Sequence, residues 1–143
     1  MRLAASLRYA LHATGLLLLL SGVLWLTVQH GTALGPRERM LLAASMQVHG
    51  AATMAILVLT GCAVALHAPA AWRERRNMAS GIALSCTLLL LGLTGYLLYY
   101  AGSDALRAAT SVVHWVAGIA GSAVLVWHVT EARRVAAGRE LPG

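Results

Sequence analysis

The sequence SVVHWVAGIAGSAVLVWHVT at residues 111–130 decides the class of fold. It contains no Asp, Glu, Lys or Arg over 20 residues, and about 20 apolar residues are what an α-helix needs to cross a bilayer. Three more uncharged stretches of at least this length occur, at residues 9–36, 40–72 and 77–103. We therefore expect an all-α integral membrane protein with four transmembrane helices in an up-and-down bundle.

The composition points the same way. Of the 143 residues, 59% are hydrophobic and 11% are charged, whereas soluble domains carry about 25% charged residues. Four spans use nearly the whole chain, so a soluble catalytic domain or a nucleotide-binding fold is not expected, and residues 1–143 are predicted to form a single domain. Pro69 is predicted to end the second span. The predicted spans are residues 7–30, 41–67, 79–100 and 109–130.

The distribution of arginine predicts the topology. All eleven basic residues are arginines; three lie in the first and third loops, and eight lie in the terminal segments and the second loop. Basic residues concentrate on the cytoplasmic side of membrane proteins, so both termini are expected in the cytoplasm, in a bacterial inner membrane. Because the charges flank the spans, the net charge of +6 does not indicate a nucleic-acid partner. The eight are Arg2, Arg8, Arg73, Arg75, Arg76, Arg133, Arg134 and Arg139.

Histidines carry the chemical signal. All six lie within or at the end of a predicted span, at positions 12, 30, 49, 67, 114 and 128. An ionisable residue inside a membrane is costly unless it is paired or coordinated, which makes it a functional candidate. A single histidine is more simply explained by a structural hydrogen bond, but six are not.

His114 and His128 are fourteen residues apart, which corresponds to about 21 Å along a helix and about 40° of rotation. Both rings therefore leave the same helix face. Gly121 lies midway between them and Gly118 is close by, where small residues would leave room for a flat macrocycle. Because neutral imidazole is an axial ligand of haem iron, this spacing predicts two stacked haem groups.

Each iron needs a second axial ligand at the same depth from another helix. His49 lies in the outer part of the second span and matches His114, while His12 lies near the cytoplasmic start of the first span and matches His128. The predicted pairs are therefore His12/His128 and His49/His114, all four binding haem iron.

Two histidines remain as alternatives. His67 follows His49 by eighteen residues, which places it about 6 Å beyond the level of His128. Helix tilt can absorb part of that mismatch, so His67 stays open as a ligand in place of His12. His30 is predicted at the outer rim by the same arithmetic. Both are assigned to alternative ligation, propionate contacts, quinone hydrogen bonding or proton transfer, and a third haem stays open.

With the histidines placed, the chain resembles the four-helix b-type cytochrome superfamily, which includes the membrane subunits of formate dehydrogenases and hydrogenases. It is similar, more loosely, to small flavinylation-associated cytochromes. The chain departs from the dehydrogenase-subunit pattern in the extra His30 and His67, in Ala13 where that family commonly has Trp, and in a short C-terminal tail. The matching motifs are Arg8-x-x-x-His12, Leu20-Ser21-Gly22, His49, His114-Trp115 and His128-Val129.

The resemblance implies two haems b that transfer electrons across the membrane between the quinone pool and a redox protein, which could belong to a larger oxidoreductase complex. The other expected partner is membrane lipid, and an oligomer stays open. A stand-alone enzyme also stays open, although an electron-transfer protein or oxidoreductase subunit fits better. Cys62 and Cys86 are isolated, so covalent haem attachment is not expected. The alternatives are a histidine-lined metal or proton transporter and a structural membrane anchor without haem.

Overall fold

A computed structural model of the chain describes residues 4–31, 35–75 and 77–137. Throughout these ranges the regular structure is α-helical, and each helix has an apolar window long enough to cross a membrane. This confirms the prediction of an all-α protein with four membrane spans. Arg2, Arg76 and Arg139, which entered the topology argument, lie outside the described residues. The helices are α1 Ala5–Gly31, α2 Pro36–Arg73, α3 Met78–Tyr100 and α4 Asp104–Ala137.

The predicted end of the second span is wrong. Helix α2 does not stop before Pro69 but continues through it to Arg73. Proline removes one backbone hydrogen bond, to the carbonyl four residues earlier, and membrane helices tolerate the loss of a single bond. The proline therefore lies inside the last part of α2.

Helix α4 is longer at both ends than its predicted span of 109–130. It begins at Asp104, where the Ser103 hydroxyl caps the helix by accepting a hydrogen bond from the Leu106 N–H at 3.3 Å. Apolar windows mark the part of a helix inside the bilayer, whereas Ala, Arg and Glu continue a helix into water. Because α4 ends at Ala137, His128 lies nine residues from the helix end.

The chain divides into two compact units, Met1–Ala70 and Ala71–Gly143. The first, here called the first hairpin, contains α1 and most of α2. The second hairpin contains α3 and α4. The predicted single domain stays a prediction, and each hairpin is described by itself.

In the second hairpin, α3 and α4 pack as antiparallel neighbours along small residues. Gly121 of α4 meets Thr87 of α3 so closely that a Cβ atom at Gly121 would lie 2.9 Å from the Thr87 Cγ2 atom. Gly118 faces Leu91 more loosely, at 3.9 Å from its Cδ2 atom. Small residues let membrane helices approach each other closely. The two glycines therefore serve the packing of α3 on α4, and their predicted role beside a macrocycle stays a prediction.

Candidate functional site

His114 lies half-buried on α4 with its ring against α3. Its Nδ1 atom is 2.8 Å from the Thr94 hydroxyl, and that hydroxyl donates to the Leu90 carbonyl at 2.7 Å. A hydroxyl has one proton to donate, so the Thr94 oxygen accepts from the histidine, and we assign the ring proton to Nδ1. Next to Thr94, a Cβ at Gly95 would lie 3.6 Å from the His114 Cε1 atom. Gly95 therefore lets the ring edge lie against the α3 backbone.

The same arrangement occurs in the first hairpin. The His49 Nδ1 atom is 2.9 Å from the Ser21 hydroxyl, which donates to the Leu17 carbonyl at 2.7 Å. A Cβ at Gly22 would lie 3.5 Å from the His49 Cε1 atom. A hydroxyl residue followed by glycine thus holds a histidine of the neighbouring helix in both hairpins.

His128 repeats the arrangement at the other end of the second hairpin. Its Nδ1 atom is 3.0 Å from the Ser80 hydroxyl, and a Cβ at the next residue, Gly81, would lie 3.7 Å from its Cε1 atom. The Ser80 hydroxyl donates to the Asn77 side-chain oxygen. Its oxygen is therefore an acceptor for the His128 Nδ1–H group.

His12 is held by its own helix. Its Nδ1 atom lies 2.6 Å from the backbone carbonyl oxygen of Arg8, one turn earlier in α1. A carbonyl oxygen can only accept, so Nδ1 of His12 also carries the proton. The ring is exposed, unlike the three that lean on a neighbouring helix.

We assign one tautomer to these four histidines, because the oxygen facing each Nδ1 atom can accept its proton, and this is the chemical feature that the four share. With the proton on Nδ1, the lone pair of the neutral ring is on Nε2, on roughly the opposite side of the ring. Metal-binding histidines are commonly held in this way, with the second nitrogen donating to a fixed acceptor that orients the ring and raises its basicity. The four are the residues predicted as axial ligands: His12, His49, His114 and His128.

His67 and His30 differ from these four. His67 is half-buried, and its Nδ1 atom is buried without a hydrogen-bond partner in the part of the chain that the structure describes. His30 is exposed in the last turn of α1. Among the described residues, no contact comparable to those of Ser80, Thr94 or Ser21 holds the His67 ring in one tautomer.

Over residues 4–31, 35–75 and 77–137, no group of three His, Cys, Asp or Glu side chains comes together as a metal site. A single imidazole with a hydrogen-bonded Nδ1 suits a metal that brings most of its own ligands. Haem iron is such a metal, because the porphyrin supplies four nitrogens and the protein one or two.

The hydroxyl partners of the histidines were missed by sequence reasoning. Ser21-Gly22 and Thr94-Gly95 are similar dipeptides in the two halves of the sequence, and the structure shows that each pair contacts a histidine. Ser80-Gly81 carries the same signal, fourteen residues before Thr94-Gly95. The dipeptide alone is not sufficient, since Thr60-Gly61 also fits it and a Cβ at Gly61 would meet nothing within 4 Å.

The predicted ligand pairs join histidines of different hairpins, so His12/His128 and His49/His114 stay predictions. No protein-family model, no curated protein and no solved structure matches the chain. The resemblance to b-type cytochromes therefore rests on the motifs of the sequence, and the function is a proposal.

Proposed function

We propose that the chain is a membrane b-type dihaem cytochrome that carries electrons across the bilayer between the quinone pool and a redox partner. One observation carries the proposal. Four membrane histidines are held by hydrogen bonds at Nδ1, by the hydroxyls of Ser21, Ser80 and Thr94 or by the Arg8 carbonyl. Each ring is thereby set to offer Nε2 to a metal.

The number and kind of donors fit two haems. Two axial imidazoles complete the coordination of one haem iron, so four histidines suffice for two. When bound, haem b supplies the one-electron chemistry. In the proposed pairs, His12 and His128 would hold one iron, and His49 and His114 would hold the other.

In the proposed function the helices also set the depth of each haem in the bilayer and exclude water from it. His114 and His128 both lie against α3 and are fourteen residues apart on α4, about 21 Å along the helix. That separation covers most of the roughly 30 Å hydrocarbon core of a bilayer. Two ligands on one rigid helix therefore define two depths for electron transfer, and the apolar helices exclude water from both.

The hydrogen bonds favour His12 over His67 as the fourth ligand. His12 has a fixed acceptor for Nδ1–H, whereas the Nδ1 atom of His67 is buried without a hydrogen bond among the described residues. An oriented ring binds a metal better than an unsupported one. This leaves His67 and His30 for quinone, propionate or proton contacts, as the sequence suggested.

The proposed setting is a bacterial inner membrane with both termini in the cytoplasm. The described arginines at that face are Arg8, Arg73, Arg75, Arg133 and Arg134. They would contact lipid headgroups and a negatively charged redox partner or subunit.

Electron transfer can be tested in sealed vesicles. The purified holoprotein is reconstituted around trapped ferricyanide, and dithionite, which does not cross the bilayer, is added outside. We expect the trapped ferricyanide to be reduced many-fold faster than in empty vesicles, and His114→Ala to return the rate to that background. A background rate from vesicles whose protein retains two haems would contradict the proposed function.

A further inference from the structure

The side chain of Asn77, at the start of α3, makes its hydrogen bonds with His128 and with Ser80, which contacts His128. Asn77 adopts the left-handed conformation at φ 52° and makes no side-chain hydrogen bond that caps its own helix. Instead its Nδ2 atom donates to the backbone carbonyl of His128 at 2.9 Å, and its side-chain oxygen accepts from the Ser80 hydroxyl. Asparagine tolerates this backbone conformation better than most residues, but the hydrogen bonds show what its side chain does there.

These contacts form a relay that ends on the imidazole. Because the Ser80 hydroxyl donates its hydrogen bond to the Asn77 side-chain oxygen, the Ser80 oxygen faces the His128 Nδ1 atom as an acceptor at 3.0 Å. Ser80 has no accessible surface, so water cannot replace either partner. Asn77 thus acts on the tautomer of His128 through Ser80.

The amide of Asn77 also approaches the ring itself. Its Nδ2 atom lies 3.3 Å from the His128 Nδ1 atom. With Nδ1 protonated both groups are donors, so this approach places the positive end of an amide dipole beside the imidazole. The Ser80 acceptor increases the electron density of the imidazole ring, and the nearby amide dipole decreases it.

The hydroxyl that contacts His114, that of Thr94, is paired differently from the Ser80 hydroxyl. The Thr94 proton goes to the backbone carbonyls of Leu90 and Leu91, at 2.7 and 3.2 Å. Backbone carbonyls of one helix are fixed, whereas the Asn77 relay begins in the connection between α2 and α3. The two histidines of α4 therefore have the same tautomer but different support.

We propose that Asn77 is a positioning residue for His128, acting through Ser80, and that its amide lowers the electron density of the His128 ring. The tautomer part of this inference depends only on the hydrogen bonds. The redox part rests on the proposed function. A poorer donor favours the reduced iron, so the Asn77 amide is expected to raise the midpoint potential of the haem bound by His128.

The tautomer is measured first, on the full-length haem-free protein labelled with ¹⁵N-histidine in detergent, since the two ring nitrogens have different shifts when protonated. We expect His128 to carry its proton on Nδ1. In Ser80→Ala the ratio of the Nδ1–H to the Nε2–H form should fall about twofold to tenfold, the effect of one hydrogen bond. In Asn77→Gly the ratio should also change, because both the Ser80 contact and the Nδ1 contact of the Asn77 side chain are removed. Glycine keeps φ 52° accessible, so the second variant removes the side chain without straining the turn.

Ser85→Ala is the matched control. Ser85 is exposed on the same helix, and its hydroxyl donates to the Gly81 carbonyl at 2.9 Å. This variant should leave the His128 signals unchanged, and none of the three should change the tautomer of His114. An unchanged His128 tautomer in both Ser80→Ala and Asn77→Gly would overturn the proposal.

The redox measurement uses the holoprotein. Ser80→Ala removes the acceptor and should raise the potential of one haem, while Asn77→Asp replaces the amide donor with a carboxylate and should lower the potential of the same haem. Opposite shifts at one haem, with the other unmoved, are not expected from a structural defect. Equal shifts of both haems would overturn the proposal. A protein that binds no haem would contradict the proposed function instead, and the tautomer measurement would still decide the role of Asn77.

Discussion

The two hairpins support their histidines differently. In the second hairpin, α3 and α4 meet in one antiparallel register at intervals of seven residues, with Ser80 on His128, Thr87 on Gly121 and Thr94 on His114. In the first hairpin the contacts of this kind meet at one histidine, since Ser21 and Gly22 of α1 both lie against His49 of α2. His12 is held by its own helix.

The difference shows what each histidine depends on. Seven residues make almost two helical turns, so one face of α3 can support both histidines of α4. Their orientation therefore depends on the packing of two helices, whereas that of His12 needs only one turn of α1. Changes that separate the helices should disturb the second hairpin more than His12.

The largest expected effect is on haem content, and it tests whether His12 or His67 of the first hairpin is the haem ligand. His12→Ala should remove one of two haems completely, because no other ligand of the same tautomer is available in α1 at that end. His67→Ala should retain both haems and is the matched histidine control. Haem per chain is measured by pyridine haemochrome. Loss of a haem in His67→Ala but not in His12→Ala would show that the pairing is wrong.

A second prediction tests the close packing of the second hairpin. Gly121→Leu places a side chain where even a Cβ lies 2.9 Å from Thr87, so α3 and α4 must separate. Overpacking of this kind costs about 1–3 kcal/mol, and both hydroxyl contacts of α4 should weaken. Thermal unfolding in detergent measures the loss of stability.

Gly92→Leu is the control for this substitution, since a Cβ at Gly92 on α3 meets nothing within 4 Å. It should unfold at nearly the wild-type temperature. If the variants of Gly121 and Gly92 unfold together, the register described for α3 and α4 is not the one that stabilises the hairpin.

A smaller effect is expected when one acceptor is removed without changing the shape of the residue. In the wild type the Thr94 oxygen lies 2.8 Å from the His114 Nδ1 atom. Thr94→Val keeps the volume of the side chain but removes this acceptor. Loss of such a partner commonly weakens metal binding about 10–100-fold. A titration of the haem-free protein with haem should show one weakened site and one normal site.

Thr94→Ser restores the hydroxyl and should restore most of the affinity. If the serine and valine variants bind haem equally well, the hydroxyl has no role in preparing His114.

Much of the fold follows from the sequence, because charge is so costly in a bilayer that uncharged windows locate the spans directly. The helix ends did not follow from it. The apolar pattern ends where the membrane is expected to end, while α4 continues beyond its predicted span to Ala137 and α2 passes through Pro69. Hydrophobicity thus predicts where a helix crosses the bilayer better than where it stops.

The sequence pointed to the histidines of the candidate site but not to the side chains that form hydrogen bonds with them. Spacing placed His114 and His128 on one face of α4, yet which side chains of α3 they meet depends on the register between two helices. That register is set by contacts such as Thr87 on Gly121, and no pattern within one helix records them. The role of Asn77 was invisible for the same reason.

The central claim is tested most directly by the haem content of the wild-type chain. A dithionite-reduced minus oxidised spectrum of the purified protein, with pyridine haemochrome quantitation, should show α and Soret bands of haem b and two haems per chain. A protein that folds as a helical membrane protein yet holds no haem after haem-supplemented expression would contradict the account.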